Sequence, residues 1–150
     1  MGRLYRKIKT SIWKIVNPRL SSLILYEVPK IYYKKRFHFG KNVHINSAVF
    51  INAVGNVSIG DNTILSHGCC IISTALETKN WNTRINRAEE HIDKRIKIGN
   101  NVWLCANTTV LGGVNIADNC IIAAGSVVTK SINEPNTLWG GCPALKLKDL

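Results

Sequence analysis

Large apolar side chains recur every six residues in two long stretches of the chain, with one longer step around Gly55. The first stretch contains Phe39, Ile45, Ile51, Ile59, Leu65 and Ile71, and the second contains Ile98, Leu104, Val110, Ile116, Ile122 and Val128. Neither the 3.6-residue period of a helix nor the alternation of a simple strand explains this spacing. A coil of three short flat faces, each with one large residue pointing inward, does explain it. The spacing is typical of a stacked β-helix.

Small or β-branched residues follow four positions after most of these side chains, where they would let the next coil approach closely. They are Val43, Val49, Thr63, Cys69, Ala75, Val102, Thr108, Val114, Cys120 and Ser126. The combined pattern predicts an all-β repeat, a parallel β-helix of about four coils over residues 39–133. Flat outer faces on so short a repeat also favour oligomerisation through one face.

Two segments fall outside the repeat. Residues 77–97 are polar and charged, and they predict a protruding loop inserted between two coils. Residues 134–150, with two prolines and a basic end, form a C-terminal tail.

Residues 1–38 read as a basic, helical segment. Leu4, Ile8, Ile12 and Ile15 share one face of a predicted amphipathic helix over 3–16, and Asn17–Pro18 would end it. A second, shorter helix is expected from Leu20 to Val28. The segment holds ten Lys/Arg and one acid, so it carries +9 of the formal net charge of +11.

This charge allows two functions for the first helix. A basic amphipathic helix can lie on an anionic membrane surface. Its apolar face could instead cap the open end of the β-helix, and the two roles are not exclusive. Nucleic-acid binding is not expected, because no known nucleic-acid-binding motif is present.

Cysteine usage and hydropathy point to a cytoplasmic protein, peripheral at the inner face of the membrane if the helix binds lipid. The five cysteines form no CxxC pair, which favours reduced thiols, and Cys69 and Cys120 fall on small inward positions. No apolar stretch near the N-terminus approaches the about 20 residues of a membrane span, and signal-peptide features are missing.

Four sequence strings give the chain a family resemblance: IGDN at 59–62, IGNNVW at 98–103, ADNCIIAAGSVVTKSI at 117–132 and GGCPALKLK at 140–148. With their spacing, residues 39–150 resemble the hexapeptide-repeat acyltransferases, in the branch of the maltose/galactoside and polysaccharide O-acetyltransferases. The resemblance implies a left-handed β-helix, a homotrimer with sites between subunits, acetyl-CoA as donor and no metal.

The resemblance also implies roles for individual residues. Ala106 and Ala124 match small residues whose backbone lies against the pantetheine arm of the cofactor. Trp103 matches the family's VW tryptophan, which could pack at the cofactor site or only at the trimer face. Thr129 and Lys130 match residues near the nucleotide end of the cofactor, where Lys130, Lys146 and Lys148 could meet its phosphates. Asn46 aligns with an asparagine of the acceptor site, although it could equally be a corner residue that bonds its own backbone.

One departure from the family pattern concerns the catalytic base. Counted from the isoleucine of IGDN, Ile59, the family's histidine is expected at position 76, but Leu76 stands there and Glu77 follows. Transfer of an acetyl group to a hydroxyl needs a group that takes its proton, for which histidine is best suited. The first hypothesis is His91 from the inserted loop, oriented by Glu77. The second is His67, and the third is loss of catalysis.

The sequence therefore predicts an acetyl-CoA-dependent O-acetyltransferase acting on a sugar hydroxyl of a surface polysaccharide or its lipid-linked precursor. A small-molecule or amino-sugar acceptor stays open, and so does a catalytically silent β-helix that binds or scaffolds. A β-helical carbonic anhydrase is disfavoured, because the four histidines contain no HxxxxH pair.

Overall fold

The computed structural model describes residues 2–78 and 91–150, which form a parallel β-solenoid of five turns with one helix before it. Strands are numbered in chain order, and three parallel sheets, A, B and C, make the sides of the column. Sheet A contains β1 (Ile24–Leu25), β4 (His44–Ile45), β7 (Ile64–Leu65), β12 (Trp103–Leu104), β15 (Ile121–Ile122) and β17 (Thr137–Gly140). Sheet B contains β2 (Lys30–Tyr32), β5 (Phe50–Asn52), β8 (Cys70–Ile72), β13 (Thr109–Leu111) and β16 (Val127–Val128). Sheet C contains β3 (Phe37–Phe39), β6 (Val57–Ile59), β11 (Ile96–Ile98) and β14 (Asn115–Ile116).

The predicted inward positions form the core of this column. Ile45, Leu65, Leu104 and Ile122 are all fully buried in sheet A, one above the other. The small positions are buried as well, from Val43 to Ser126, whereas Ala75 is half-buried because it lies in the insertion. Phe39 is also only half-buried and packs against the core from its edge. The six-residue period therefore places the core correctly.

The column begins earlier than predicted. β1 pairs with β4 and β2 pairs with β5, so residues 24–39 form a first turn, and all of it except Phe39 lies in the segment assigned to 1–38. The prediction of a helix from Leu20 to Val28 is wrong, because a strand at the end of a sheet gains backbone hydrogen bonds from the next turn. The repeat consequently has five turns instead of about four.

The first turns are longer than the later ones. In sheet A, Ile24 pairs with His44 and His44 pairs with Ile64, and each of these intervals is longer than the step from Trp103 to Ile121. The additional residues of the second turn lie between Ile51 and Ile59, as the longer step around Gly55 predicts.

The insertion leaves the column between sheets B and C of the third turn. β9 (Thr74–Leu76) and β10 (His91–Asp93) form the antiparallel base of a hairpin, and residues 79–90 lie outside the described part of the chain. The predicted loop end at 97 is wrong, since Ile96 is buried and Lys97 already pairs with Ser58 and Asn115 in sheet C.

The helix α1 (Arg3–Val16) does not cap the column with its apolar face, as one of the two hypotheses proposed. None of its residues is buried, and Leu4 is 71% exposed. Leu20, at the end of a 3₁₀ turn, and Leu23 close the column in its place and are buried. At the other end, β17 extends sheet A and pairs antiparallel with β18 (Leu145–Asp149).

Three corners connect the sheets, and the one between sheets C and A is filled by side-chain ladders. It consists of residues 40–43, 60–63, 99–102 and 117–120, which we call the CA corner. Asn101 donates to Asn119 at 3.0 Å and Asn119 donates to Asn136 at 2.9 Å, each with a left-handed backbone. A second ladder runs beside it, where Asp118 accepts the backbone N–H of Asn100 at 2.8 Å.

Candidate functional site

The corner between sheets A and B gathers four of the residues that the sequence singled out. This AB corner consists of residues 46–49, 66–69, 105–108 and 123–126, stacked turn upon turn. Asn46 lies in the second turn, His67 in the third, Ala106 in the fourth and Ala124 in the fifth. Backbone bonds link the layers: Asn107 N–H donates to the His67 carbonyl at 2.8 Å, and Gly125 N–H donates to the Ala106 carbonyl at 2.9 Å.

Two hydrogen bonds at the AB corner involve candidate residues. The Ser47 hydroxyl and Nδ1 of the exposed His67 are 2.8 Å apart, which fixes the direction of the ring. Trp103 stands outward on sheet A, 47% exposed, and its indole N–H donates to the Ser66 hydroxyl at 2.9 Å. The indole therefore lies next to the corner that carries His67.

Small side chains line the upper part of the AB corner. Ala106 is half-buried and Ala124 is exposed, and the Gly125 backbone has no atom of the described chain within 4 Å of where a Cβ would stand. A thin, flexible ligand could therefore approach the backbone of the fourth and fifth turns closely. The donor predicted for these alanines fits such a surface.

The hairpin places His91 opposite Leu76, which stands where the family resemblance expects a histidine. In the antiparallel ladder His91 is paired directly with Leu76, and Asp93 is paired with Thr74. Directly opposed residues project to the same side with Cβ atoms about 4.5–5.5 Å apart. The exposed His91 therefore lies beside the side chain that replaces the expected base, and Glu77 follows Leu76 at the end of β9.

The base of the hairpin is fastened to the column. Arg36 of the first turn donates to the Val54 carbonyl and lies 3.2 Å from a carboxylate oxygen of Asp93, two residues after His91. Lys94 N–H donates to the Ser73 carbonyl at 2.9 Å and closes the corner below the ladder. These contacts fix the direction in which β10 returns to the column.

The candidate residues of the hairpin and those of the AB corner lie on different edges of the column. The hairpin leaves from the corner between sheets B and C, the BC corner, where Thr129 and Lys130 also lie, exposed, in the fifth turn. The path along sheet B from Thr108 to Gly112 covers roughly 13 Å at the rise of a strand. His67 shares an edge with Ala106 and Ala124 within one chain, whereas His91 does not.

The C-terminal lysines differ in how they are bound. Lys146 lies 2.8 Å from Asp149 and 2.6 Å from Glu134, and these hydrogen bonds raise the pKa of Lys146 to about 12. Its charge is therefore already compensated within the chain. Lys148 is exposed on β18 opposite Leu138, and Lys130 is exposed on the BC corner, so these two are better placed to meet phosphates.

The cysteines behave as their positions predict. All five are free thiols, and Cys69 and Cys120 are buried in the column. Burial raises the pKa of Cys69 to about 11 and also raises the pKa of Cys70 and Cys105. A raised pKa leaves little thiolate at neutral pH, so these thiols are poor nucleophiles.

Three contacts at the candidate site were not predicted from the sequence: Ser47 with His67, Ser66 with Trp103, and Arg36 with Asp93. Ser47 precedes His67 by the length of one early turn, so this contact could have been found once that interval was known. The Arg36–Asp93 pair joins residues 57 positions apart, and no periodic signal connects them.

The six-residue repeat and the solenoid that it forms are shared with a family of transferases. Residues 95–130 match the family model for bacterial transferase hexapeptide repeats (six repeats). The chain belongs to this hexapeptide-repeat transferase family, as the sequence strings predict.

Two curated relatives from Escherichia coli K12 illustrate the similarity. The galactoside O-acetyltransferase is 32% identical over 81% of this chain and 59% of its own length. A putative lipopolysaccharide biosynthesis O-acetyl transferase is 33% identical over 73% of this chain and 59% of its own length. The chain thus spans about three fifths of the length of these relatives.

Two crystal structures share the fold along nearly the whole chain. A maltose O-acetyltransferase from Clostridium difficile 630 superposes with a TM-score of 0.83 and 26% identity, covering 99% of this chain and 86% of the other. An acetyltransferase of Vibrio cholerae, in complex with acetyl coenzyme A, has a TM-score of 0.80 and 25% identity, covering 93% and 77%. These neighbours are left-handed β-helices, and the predicted fold class is confirmed.

Proposed function

We propose that this protein transfers the acetyl group of acetyl-CoA to a hydroxyl of a sugar acceptor. Its relatives include a galactoside and a putative lipopolysaccharide O-acetyltransferase, and one structural neighbour binds acetyl-CoA. The observation that carries the proposal in this chain is the pairing of His91 with Leu76, because it supplies an imidazole where the expected histidine is missing.

His91 would act as the general base. Its imidazole takes the proton of the acceptor hydroxyl while that oxygen attacks the carbonyl carbon of the thioester. The tetrahedral intermediate then expels the sulfur of CoA, which receives the proton from the imidazolium. The products are an acetyl ester and the thiol of CoA, and the histidine regains its starting state. We retain Glu77, at the end of β9, as the residue that orients His91.

The donor would lie along the AB corner, with its thin arm against Ala106 and Ala124. Trp103 beside Ser66 gives this arm an aromatic wall on the side of sheet A. Exposed Lys130, with Thr129, and exposed Lys148 are the groups we assign to the phosphates, and Lys146 is excluded because two carboxylates already hold it. Asn46 and His67, lower on the same corner, would face the acceptor.

Because the His91 edge and the AB corner of one chain are separated by sheet B, we propose that the site forms between two copies in a homotrimer. A general base must come within about 3 Å of the proton it accepts, which is far less than the width of that sheet. Outward apolar residues on sheets A and B, such as Ile64, Phe50 and Leu111, support contact between copies, whereas sheet C presents Ser58, Lys97 and Asn115.

The acceptor we favour is a sugar of a surface polysaccharide or its lipid-linked precursor. This choice rests on the similarity to the putative lipopolysaccharide O-acetyl transferase, because the fold itself does not determine the substrate. A small-molecule or amino-sugar acceptor is the competing choice. Acetyl-CoA turnover measured with galactosides, oligosaccharides and amino sugars side by side distinguishes them.

Replacement of the proposed base tests the mechanism directly. His91→Ala should lower turnover by roughly 10²–10⁴-fold. His38→Ala is the matched control, because His38 is an exposed histidine on sheet C that contacts Arg19. A large loss in His67→Ala with full activity in His91→Ala would assign the base to His67.

Mixing two inactive variants tests the shared site. His91→Ala trimers and trimers whose AB corner is blocked by Ala124→Trp should regain activity when subunits are exchanged, since some sites then combine two intact edges. No recovery after verified exchange would place the whole site within one chain. If the wild-type protein binds CoA but transfers acetyl to none of the acceptors, the silent binding protein becomes the function.

A further inference from the structure

The helix α1 presents a continuous apolar face that nothing in the described chain covers. Five aliphatic residues make this face, and all are at least half exposed: Leu4, Ile8, Ile12, Ile15 and Val16. With 100° between successive residues, they occupy one side of the helix. So large an exposed aliphatic stripe on a short helix indicates a binding surface.

The opposite side of α1 is the one that meets the protein. Arg3, Arg6 and Thr10 line a groove together with Leu25 and Tyr26 of the first turn. Trp13 packs against the edge of the core from the same side of the helix. The apolar face therefore points away from the solenoid, whose end is already closed by Leu20 and Leu23.

The charge around this face has a single sign. The helix contains five Lys/Arg and no acidic residue. By helical geometry Lys9 lies at one border of the apolar face, next to Val16. Ser11 lies at the other border, and Lys7 and Lys14 lie beyond it, where Lys7 also lines the groove. Long lysine side chains at such borders can place their ammonium groups at the level of lipid phosphates.

We propose that α1 lies in the surface of an anionic lipid bilayer, with its apolar face below the headgroups and its lysines, Lys9 foremost, against the phosphates. Charge complementarity favours this occupant over a second copy of the chain, because pairing two α1 helices would bring two purely basic segments together. In the described chain no helix is long and apolar enough to cross a membrane, so the contact is peripheral. This inference does not depend on the proposed chemistry.

Vesicle sedimentation with the full chain tests the proposal. Binding to phosphatidylcholine vesicles containing about 30% phosphatidylglycerol should exceed binding to pure phosphatidylcholine by about tenfold or more, and it should weaken with salt. The variant Ile8→Glu/Ile12→Glu should lose about tenfold in partitioning, because two aliphatic side chains that would lie in the bilayer become charged.

A charge-matched control separates the apolar face from net charge alone. Leu145 and Leu147 are exposed on β18, at the other end of the column from α1. The variant Leu145→Glu/Leu147→Glu has the same formal charge as Ile8→Glu/Ile12→Glu and should bind within about twofold of the wild type. Equal losses in the two variants would overturn the proposal, because binding would then depend only on the net positive charge.

Sedimentation velocity without lipid tests whether a second copy of the chain covers the apolar face instead. The wild type and Ile8→Glu/Ile12→Glu should have the same oligomeric state. If the apolar-face variant dissociates while the β18 variant does not, the face is an interface between copies, and the membrane proposal fails.

Discussion

The CA corner and the AB corner both connect consecutive sheets of the column, yet their side chains make different contacts. In the CA corner Asn119 both accepts a hydrogen bond from Asn101 and donates one to Asn136, so both polar atoms of its amide are bonded within the column. In the AB corner the corresponding layers hold Ala106 and Ala124, whose backbone is accessible. One corner holds the turns together, and the other leaves room for a ligand.

The comparison teaches where to look for function in a repeat of this kind. Both corners contain left-handed residues, such as Asn119 with φ 59° and Asn107 with φ 58°. Backbone conformation therefore does not distinguish them. The difference lies in the side chains of the fourth and fifth turns. Asn101 and Asn119 of the CA corner bond to their counterparts in the next turn, whereas Ala106 and Ala124 of the AB corner have no polar side chain to do so.

A tryptophan placed on the fifth turn should give the largest difference between the two corners in turnover and CoA affinity. Ala124→Trp should reduce acetyl-CoA-dependent turnover and CoA affinity by about 100-fold or more, because the ring fills the space proposed for the pantetheine arm. Asn133→Trp, exposed on the CA side of the fifth turn, is the control and should retain both properties. Calorimetric titration with CoA and a thiol-release assay measure them, and equal losses would refute the assignment of the AB corner.

The ladder itself is tested by a matched pair of asparagines. Asn119→Ala should destabilise the protein by about 1–3 kcal/mol, from two lost hydrogen bonds and an alanine in the left-handed region. Asn107→Ala has the same backbone change, but within the described residues we find no side-chain hydrogen bond of Asn107, so its loss should be smaller by about 1–2 kcal/mol. Denaturant unfolding gives both values. Equal free energies of unfolding would mean that the ladder adds nothing.

The Ser47 hydroxyl provides a smaller effect at the AB corner. Ser47→Ala removes the partner of His67 Nδ1, and if His67 is not the base, turnover should stay within about threefold of the wild type. His91→Ala measured in parallel should show the large loss. A drop of about 100-fold or more in Ser47→Ala would shift the catalytic role to His67.

The alkylation rates of the cysteine thiols should show the smallest effect in the comparison of the two corners. Burial raises the pKa of Cys105 on the AB corner, so its alkylation should be slow near pH 7 and should accelerate as the pH rises and the thiolate fraction grows. CoA should slow this reaction a few-fold, whereas buried Cys120 of the CA corner should react under neither condition. Peptide mapping by mass spectrometry resolves the sites, including the exposed Cys142. Modification of Cys105 at an unchanged rate with saturating CoA would argue against the corner as the donor site.

Much of the fold was predictable because inward positions of a solenoid leave a regular trace in the sequence. Ile45, Ile51 and Leu65 repeat with the sides of the column, and the longer step around Gly55 marks the longer turn. The first turn was missed, although Leu25, Ile31 and Phe37 keep the same spacing. The stretch from Leu20 to Val28 was predicted as a helix instead, and the pairing of β1 with β4 and of β2 with β5 makes this turn β-structure.

The site was less accessible from the sequence, because it depends on which residues share an edge. The small residues Ala106 and Ala124 could be aligned by the repeat. The pairing of His91 with Leu76, by contrast, depends on the register of a hairpin whose intervening residues carry no period. The anchoring of Asp93 by Arg36 crosses two turns, and the sequence offers no rule for it.

The hairpin also has a consequence for how such proteins diversify. Ile59 and Ile98 remain direct neighbours in sheet C although the whole insertion separates them along the chain, and Ile116 follows in step. The insertion therefore begins and ends without disturbing the stacking of the turns above and below it. Natural variation could replace the whole insertion with another, and so could a designer who grafts a different loop at this point. Either change could alter specificity while the turns of the column stay in register.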